Sequence, residues 1–180
     1  MLDALLEKAK KKRKLVSVYR SEDTDENITG YVLGNSDEFL LLSAMDYYGN
    51  YDGFIVLKMD AIYRCEMESI YAKRAQKLFS LRGQKHPELK LRDEEEMIPS
   101  ILQFAHKTQK VVSIELRESD SYDVKGMVTA LDDHAVFIHQ LTGDGAFDGD
   151  TVVLLEDITE VCCDSQSEQS VKLLSEHQDK

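Results

Sequence analysis

The stretch from Ile28 to Ile62 has a second version further along the same chain. Ile28-Thr29-Gly30-Tyr31-Val32 is answered by Val124-Lys125-Gly126-Met127-Val128, Asp52-Gly53 by Asp148-Gly149, and Ile62 by Ile158. Every pair lies 96 residues apart, as Gly30 and Gly126 do, so the match needs no gap. A fixed internal offset limits the fold more than composition can, because each copy must form the same small unit. With 180 residues in all, two such units would each bury a small core and would pack on one another or on a partner.

Each copy opens with a helical pattern. Leu2, Leu5, Leu6 and Ala9 recur at helical spacing over residues 2–12, and Ile101, Leu102 and Ala105 take the matching places between Ile98 and Lys107. Pro99 suits the first turn of that second helix, where a missing N–H costs nothing. Five strand patterns follow. Val16/Val18 and Val112/Ile114 alternate with period two, which predicts a half-buried strand in residues 14–19 and 110–115. The second strand carries Gly30 or Gly126 at mid-length, the mark of a sharp bend or a close backbone approach. Phe39-Leu40-Leu41-Leu42 and Ala135-Val136-Phe137-Ile138 are apolar throughout, as in strands covered on both faces. A longer loop ends in Asp52-Gly53 or Asp148-Gly149, read as turn dipeptides before Phe54–Leu57 and Thr151–Leu155. A short fifth strand opens at Ile62 and Ile158. Glu66–Arg82 reads as a helix with Met67, Ile70, Tyr71, Arg74, Leu78 and Leu81 on one stripe and Gly83 as its cap. Ser165–Glu176 reads as a weaker helix. The predicted class is mainly β with flanking helices (α+β): two tandem five-stranded small barrels from an internal duplication. Residues 1–83 and 93–180 form the units, and 84–92 links them.

Helix, then five strands with a glycine inside the second, resembles the Sm-like fold, one of the SH3-like small barrels. The second copy is most similar to the bacterial Sm-like RNA chaperones, in Val111-Val112-Ser113-Ile114-Glu115-Leu116, Lys125-Gly126-Met127-Val128 and Asp132. The pattern is also similar to uncharacterised proteins of low-GC Gram-positive bacteria. The resemblance implies RNA binding, but the RNA-contacting residues of those families are replaced. Leu40 and Val136 stand where eukaryotic and archaeal members carry a base-holding asparagine. Tyr63-Arg64-Cys65 and Thr159-Glu160-Val161 stand where the bacterial family carries Lys-His.

Charge separates the halves. Residues 1–90 hold 15 Lys+Arg against 14 Asp+Glu, a net +1, whereas residues 91–180 hold 7 against 20, a net −13. That balance disfavours a nucleic-acid footprint over the whole chain. The candidate nucleic-acid or partner contacts are the basic run Lys8, Lys10, Lys11, Lys12, Arg13 and Lys14, and the aromatic loop Tyr47, Tyr48 and Tyr51. Clustered aromatics on a loop stack bases, anchor a partner, or pack between the copies.

Catalytic and metal patterns are missing from the sequence. Counted from Asp144, a calcium loop would place Ala146 third and Leu155 twelfth, where oxygen ligands are needed. His134 and His139 lie five apart in or beside one strand, and in an unbroken strand they would face opposite sides. No nucleophile elbow, phosphate loop or zinc-protease motif occurs. The three cysteines, Cys65, Cys162 and Cys163, do not match across the repeat and read as reduced thiols, which together with an N-terminus unlike a signal peptide predicts a cytoplasmic protein. The expected function is therefore non-catalytic, with no cofactor, metal, small-molecule substrate or membrane, and with a protein partner or self-association.

Overall fold

The computed structural model describes residues 1–20, 27–119 and 121–178. The duplication is carried into the fold element by element. The first copy runs α1 (Leu2–Lys12), β1 (Leu15–Arg20), β2 (Asn27–Asn35), β3 (Phe39–Met45), β4 (Tyr51–Lys58), β5 (Ile62–Met67) and α2 (Ile70–Leu81). The second runs α3 (Met97–Thr108), β6 (Val111–Leu116), β7 (Tyr122–Leu131), β8 (Ala135–Leu141), β9 (Phe147–Leu154), β10 (Ile158–Cys163) and α4 (Gln166–Glu176). Even left-handed backbone recurs at the same offset, at Arg13 and Gln109, Glu68 and Asp164, Gly49 and Gly145, and Gly53 and Gly149.

The strands do not form two closed barrels. They make one open antiparallel sheet of ten strands, in the order β5-β1-β2-β3-β4-β10-β6-β7-β8-β9. The fourth strand of the first copy bonds to the fifth strand of the second, with Leu57 opposite Glu160 and Phe54 opposite Cys163. Backbone groups that could have closed a barrel thus pair across the duplication. The polar stretch of residues 21–27, which reads as a turn between the first two strands, lies almost wholly outside the described residues.

Gly30 and Gly126 occupy like places, opposite Ala44 and Gln140. A Cβ on Gly30 would sit 2.5 Å from the Ser43 carbonyl oxygen, and one on Gly126 would collide with the His139 carbonyl. Close approach is therefore the reason for glycine at both. Asp52-Gly53 and Asp148-Gly149, expected as turns, lie inside β4 and β9 instead. The reversal is made earlier, where Asn50 N–H donates to the Asp46 carboxylate at 2.8 Å and Gly49 takes a φ of 77°. Gly53, with φ 79°, serves an irregularity in the β3–β4 register between Ser43 and Met45.

Two apolar clusters sandwich the sheet. Leu6 and Ala9 of α1 pack with Val16, Val18, Leu40, Leu42, Ile55 and Leu57. The other cluster draws on both copies: Ile101, Leu102 and Ala105 of α3 share it with Leu41 and Val56 of the first copy and with Ile114, Ile138 and Val161 of the second. The first strand, expected half-buried, is covered on both faces, since Leu15 joins the shared cluster while Ser17 bonds Thr29 through their hydroxyls at 2.7 Å. The apolar third strand is covered on both faces in the first copy only. In the second, Phe137 is exposed.

The helix after β5 begins later than expected. Glu66 and Met67 belong to β5, and Ser69 caps α2 by accepting from Ala72 N–H at 3.2 Å. Its buried face is Ala72, Ala75 and Phe79, because small residues let the helix approach the sheet. Ile70, Tyr71 and Leu81, expected on the buried stripe, point to solvent. Gly83 caps the end in left-handed backbone, φ 64°. The last helix is firmer than its sequence suggests: Ser165 and Glu168 form a capping box. Substituting Gly126→Ala forces the β7–β8 pair apart and should lower stability by about 1–3 kcal/mol in a urea titration, a cost typical of overpacking.

Candidate interaction surfaces

The joint between the copies is polar at one rim and apolar at its centre. Arg20, at the end of β1, donates from Nη2 to Glu160 Oε1 of β10 at 2.6 Å, and the Tyr122 hydroxyl donates to the same carboxylate. The Glu160 side chain is almost fully buried, so the charge depends on these donors. Burial and the neighbouring Glu160 charge push the Cys162 thiol well above its ordinary pKa, and burial together with the neighbouring Cys162 and Glu160 raises the Tyr122 hydroxyl. A thiol pKa raised in this way leaves little thiolate at neutral pH. Burial likewise raises Cys65, to about 11.

The N-terminus of α4 completes the joint. Gln166 N–H donates to the Asp52 carboxylate at 2.9 Å, and the Gln166 side-chain amide donates to the Tyr51 carbonyl at 3.0 Å. A Cβ on Gly53 would strike Cys163 and Ser165. Thus Asp52-Gly53 holds the second copy's helix start, a role its reading as a turn did not reveal. On the far side, α3 lies over the first copy with Phe104 edge-on to Phe54, ring centroids 5.1 Å apart.

The joining segment 84–92 also packs. His86 stacks on Phe79 with centroids 4.5 Å apart, meets Tyr31 and Tyr51 edge-on, and its Nδ1 lies 2.5 Å from the Ser43 hydroxyl. Burial lowers its pKa below the ordinary 6.5.

The residues singled out from the sequence fall in different places. Lys8, Lys11, Lys12 and Arg13 are exposed along α1 and just after it. Lys10 is held by Glu7 and Glu94, each at 2.6 Å, and Lys14 by Glu68 at 2.9 Å. The aromatic loop divides. Tyr51 is buried edge-on to Phe54, whereas Tyr47 and Tyr48 stand exposed, with the Arg74 guanidinium 4.4 Å from the Tyr47 ring centre. Lys10 and Arg13 line a groove with Tyr31 and His86; Tyr47 lines a different one with Tyr19 and Tyr71. The basic run and the aromatic loop therefore do not share a groove.

Other exposed apolar side chains lie at the two ends of the sheet and away from them. At the β5 end are Met1 and Tyr63; at the β9 end are Phe137, Phe147, Val152 and Leu154; Ile70, Tyr71 and Leu81 are exposed on α2, Leu173 and Leu174 on α4, and Tyr122 on β7. Sequence reasoning assigned Ile70, Tyr71 and Phe137 to the interior. The signal that could have placed them is where the copies differ in polarity: Arg20 answers Leu116, Glu160 answers Arg64, and Phe54 answers Asp150. No group of three or more His, Cys, Asp and Glu suited to a metal ion occurs among the described residues. No helix there is long and apolar enough to cross a membrane. Comparison with protein-family models, with curated proteins and with solved structures finds no match to this chain.

Arg20→Met strands the Glu160 charge and should cost about 3 kcal/mol in denaturant titration, while the double variant Arg20→Met/Glu160→Leu recovers most of that loss. His86 gives a pH dependence of defined sign. Its folded pKa lies below the unfolded one, so the unfolded chain binds the proton more readily and stability falls as pH drops below about 6.5. His86→Phe should flatten the thermal midpoint between pH 7 and 5 relative to the unsubstituted protein.

Proposed function

We propose that this chain is a cytoplasmic, non-catalytic interaction protein, two Sm-like units fused into one body and working through protein contacts. The observation that carries this reading is the exposure of large apolar side chains at the two end strands of the sheet, Met1 and Tyr63 at β5 and Phe137, Phe147, Val152 and Leu154 at β9. Apolar groups in water at an open strand edge are a liability unless a partner covers them, and such edges are ready templates for another chain. The Sm-like part is supported by the order β5-β1-β2-β3-β4, repeated as β10-β6-β7-β8-β9, and by the close approach at Gly30 and Gly126. Each half is then an opened version of a small barrel, its free strand given to the neighbouring copy.

A second reading, RNA or DNA binding, is favoured by one observation: Lys8, Lys11, Lys12 and Arg13 are exposed together at one helix end. Against it stand the glutamates that occupy Lys10 and Lys14, and the net −13 of residues 91–180. Binding to a single-stranded RNA measured from 25 to 200 mM salt separates the two. The protein-contact reading expects affinity weaker than about 100 µM throughout and no change on replacing Lys10, Lys11 and Lys12 by alanine. Affinity that falls steeply with salt and is lost in that triple variant would overturn it in favour of nucleic acid.

A further inference from the structure

The internal joint is a template for a second one. It sets the outer edge of a fourth strand, β4, against the outer edge of a fifth strand, β10, and covers the seam with a first helix, α3. The duplication leaves another fourth strand, β9, unpaired at one end of the sheet. Another fifth strand, β5, is unpaired at the other end, and α1 lies beside it. We propose that copies of this chain join head to tail, β9 of one pairing antiparallel with β5 of the next in the register of the internal joint. This names the partner within the protein-contact reading and rests on it.

Shifting the internal register by 96 residues puts Arg64 opposite Val153, Cys65 opposite Val152, Glu66 opposite Thr151 and Met67 opposite Asp150. The side chains around this seam fit the role. Leu41 and Val56 lie at 0% exposure in the cluster that α3 shares, whereas their counterparts Phe137 and Val152 are 39% and 59% exposed. On the docking side, Met97 and Ile101 of α3 are buried, while their counterparts Met1 and Leu5 line an open groove with Ile62, Tyr63 and Cys65. The face of β8 and β9 that carries Phe137 and Val152 is left open, and so is the Met1 and Leu5 side of α1, whose Leu6 and Ala9 already cover the first copy's own strands.

Two polar features agree. The Phe54–Phe104 contact at the internal joint becomes Asp150 and Lys8 at the external one, an acid facing a base. Asp52, which accepts from the first N–H of α4, becomes Asp148, and the matching N–H is that of Ile70 at the start of α2. Gly53 is crowded by Cys163, Asp164 and Ser165, the link from β10 into α4; Gly149 keeps both the glycine and the left-handed backbone, φ 98°, with open space around it. Repeating one contact between unlike surfaces gives a closed ring where the rotation closes and an open filament where it does not.

Sedimentation from 1 to 200 µM tests the assembly. The expected result is a mass that rises above one chain, as a finite ring or as growing oligomers, and that falls to one chain in Val152→Lys, a change at an exposed site. A single-chain mass at every concentration would overturn the proposal. Cross-linking fixes the geometry: in a Cys65→Ser background, which removes the native thiol beside the seam, Glu66→Cys and Thr151→Cys variants treated with a short bifunctional thiol reagent should cross-link when mixed and not separately. Either variant linking to itself means a symmetric dimer and overturns the head-to-tail arrangement. The RNA titration distinguishes the two failures. A monomer without salt-sensitive RNA affinity refutes the assembly but leaves the protein-contact reading in place, and RNA affinity refutes that reading whatever the mass.

Discussion

Antiparallel pairing between β4 and β10 is the constraint on which the rest depends. Two units of this size would each have a thin core and two open strand edges. Bonding one edge of each to the other removes half of those edges and lets α3 lie over both copies. The buried residues of that side then form one cluster rather than two. The polar groups at the seam follow from the same pairing. Glu160 can be buried only because β1 delivers Arg20 and β7 delivers Tyr122 to the place where the copies meet.

The copies have kept their backbone and changed their surfaces, and the changes follow what covers each position. In the first copy the face beneath α3 is apolar, with Leu41, Phe54 and Val56 buried. In the second the same positions read Phe137, Asp150 and Val152: still partly apolar, and open to water. The helices differ in the same way. Where α3 carries Phe104 against the sheet, α1 carries an exposed lysine, Lys8. Charge has drifted furthest, to a net −13 in residues 91–180.

Much of the fold was legible because period and offset are local properties of a chain. The helix positions, the strand sequence, the cap at Gly83 and the shared role of Gly30 and Gly126 could all be read from spacing. How the copies meet could not, because pairing is decided by which edges are free, and the repeat is silent on that. Hence an open sheet stands where two barrels were expected, and Asp52-Gly53 is a seat for α4 rather than a turn. Burial was misread where an apolar residue faces a position that only one copy covers. Ile70 and Tyr71 looked like core on helical spacing, yet Ala72, Ala75 and Phe79 are the residues that meet the sheet. Of the candidate contacts, Tyr51 belongs to the interior, and Lys10 and Lys14 are engaged by glutamates. Those pairings join residues as distant as 10 and 94, which no spacing rule reaches.

The packing of residues 84–92 has a consequence for chain continuity. His86 is wedged among aromatic rings, and Leu89 and Leu91 rest on the shared cluster, so the connection behaves as part of the body it crosses. Severing the peptide there would remove a covalent tether but leave the seam's ladder and its helix cover intact. The two pieces would act as complementing fragments, each supplying the strand and the apolar surface that the other lacks.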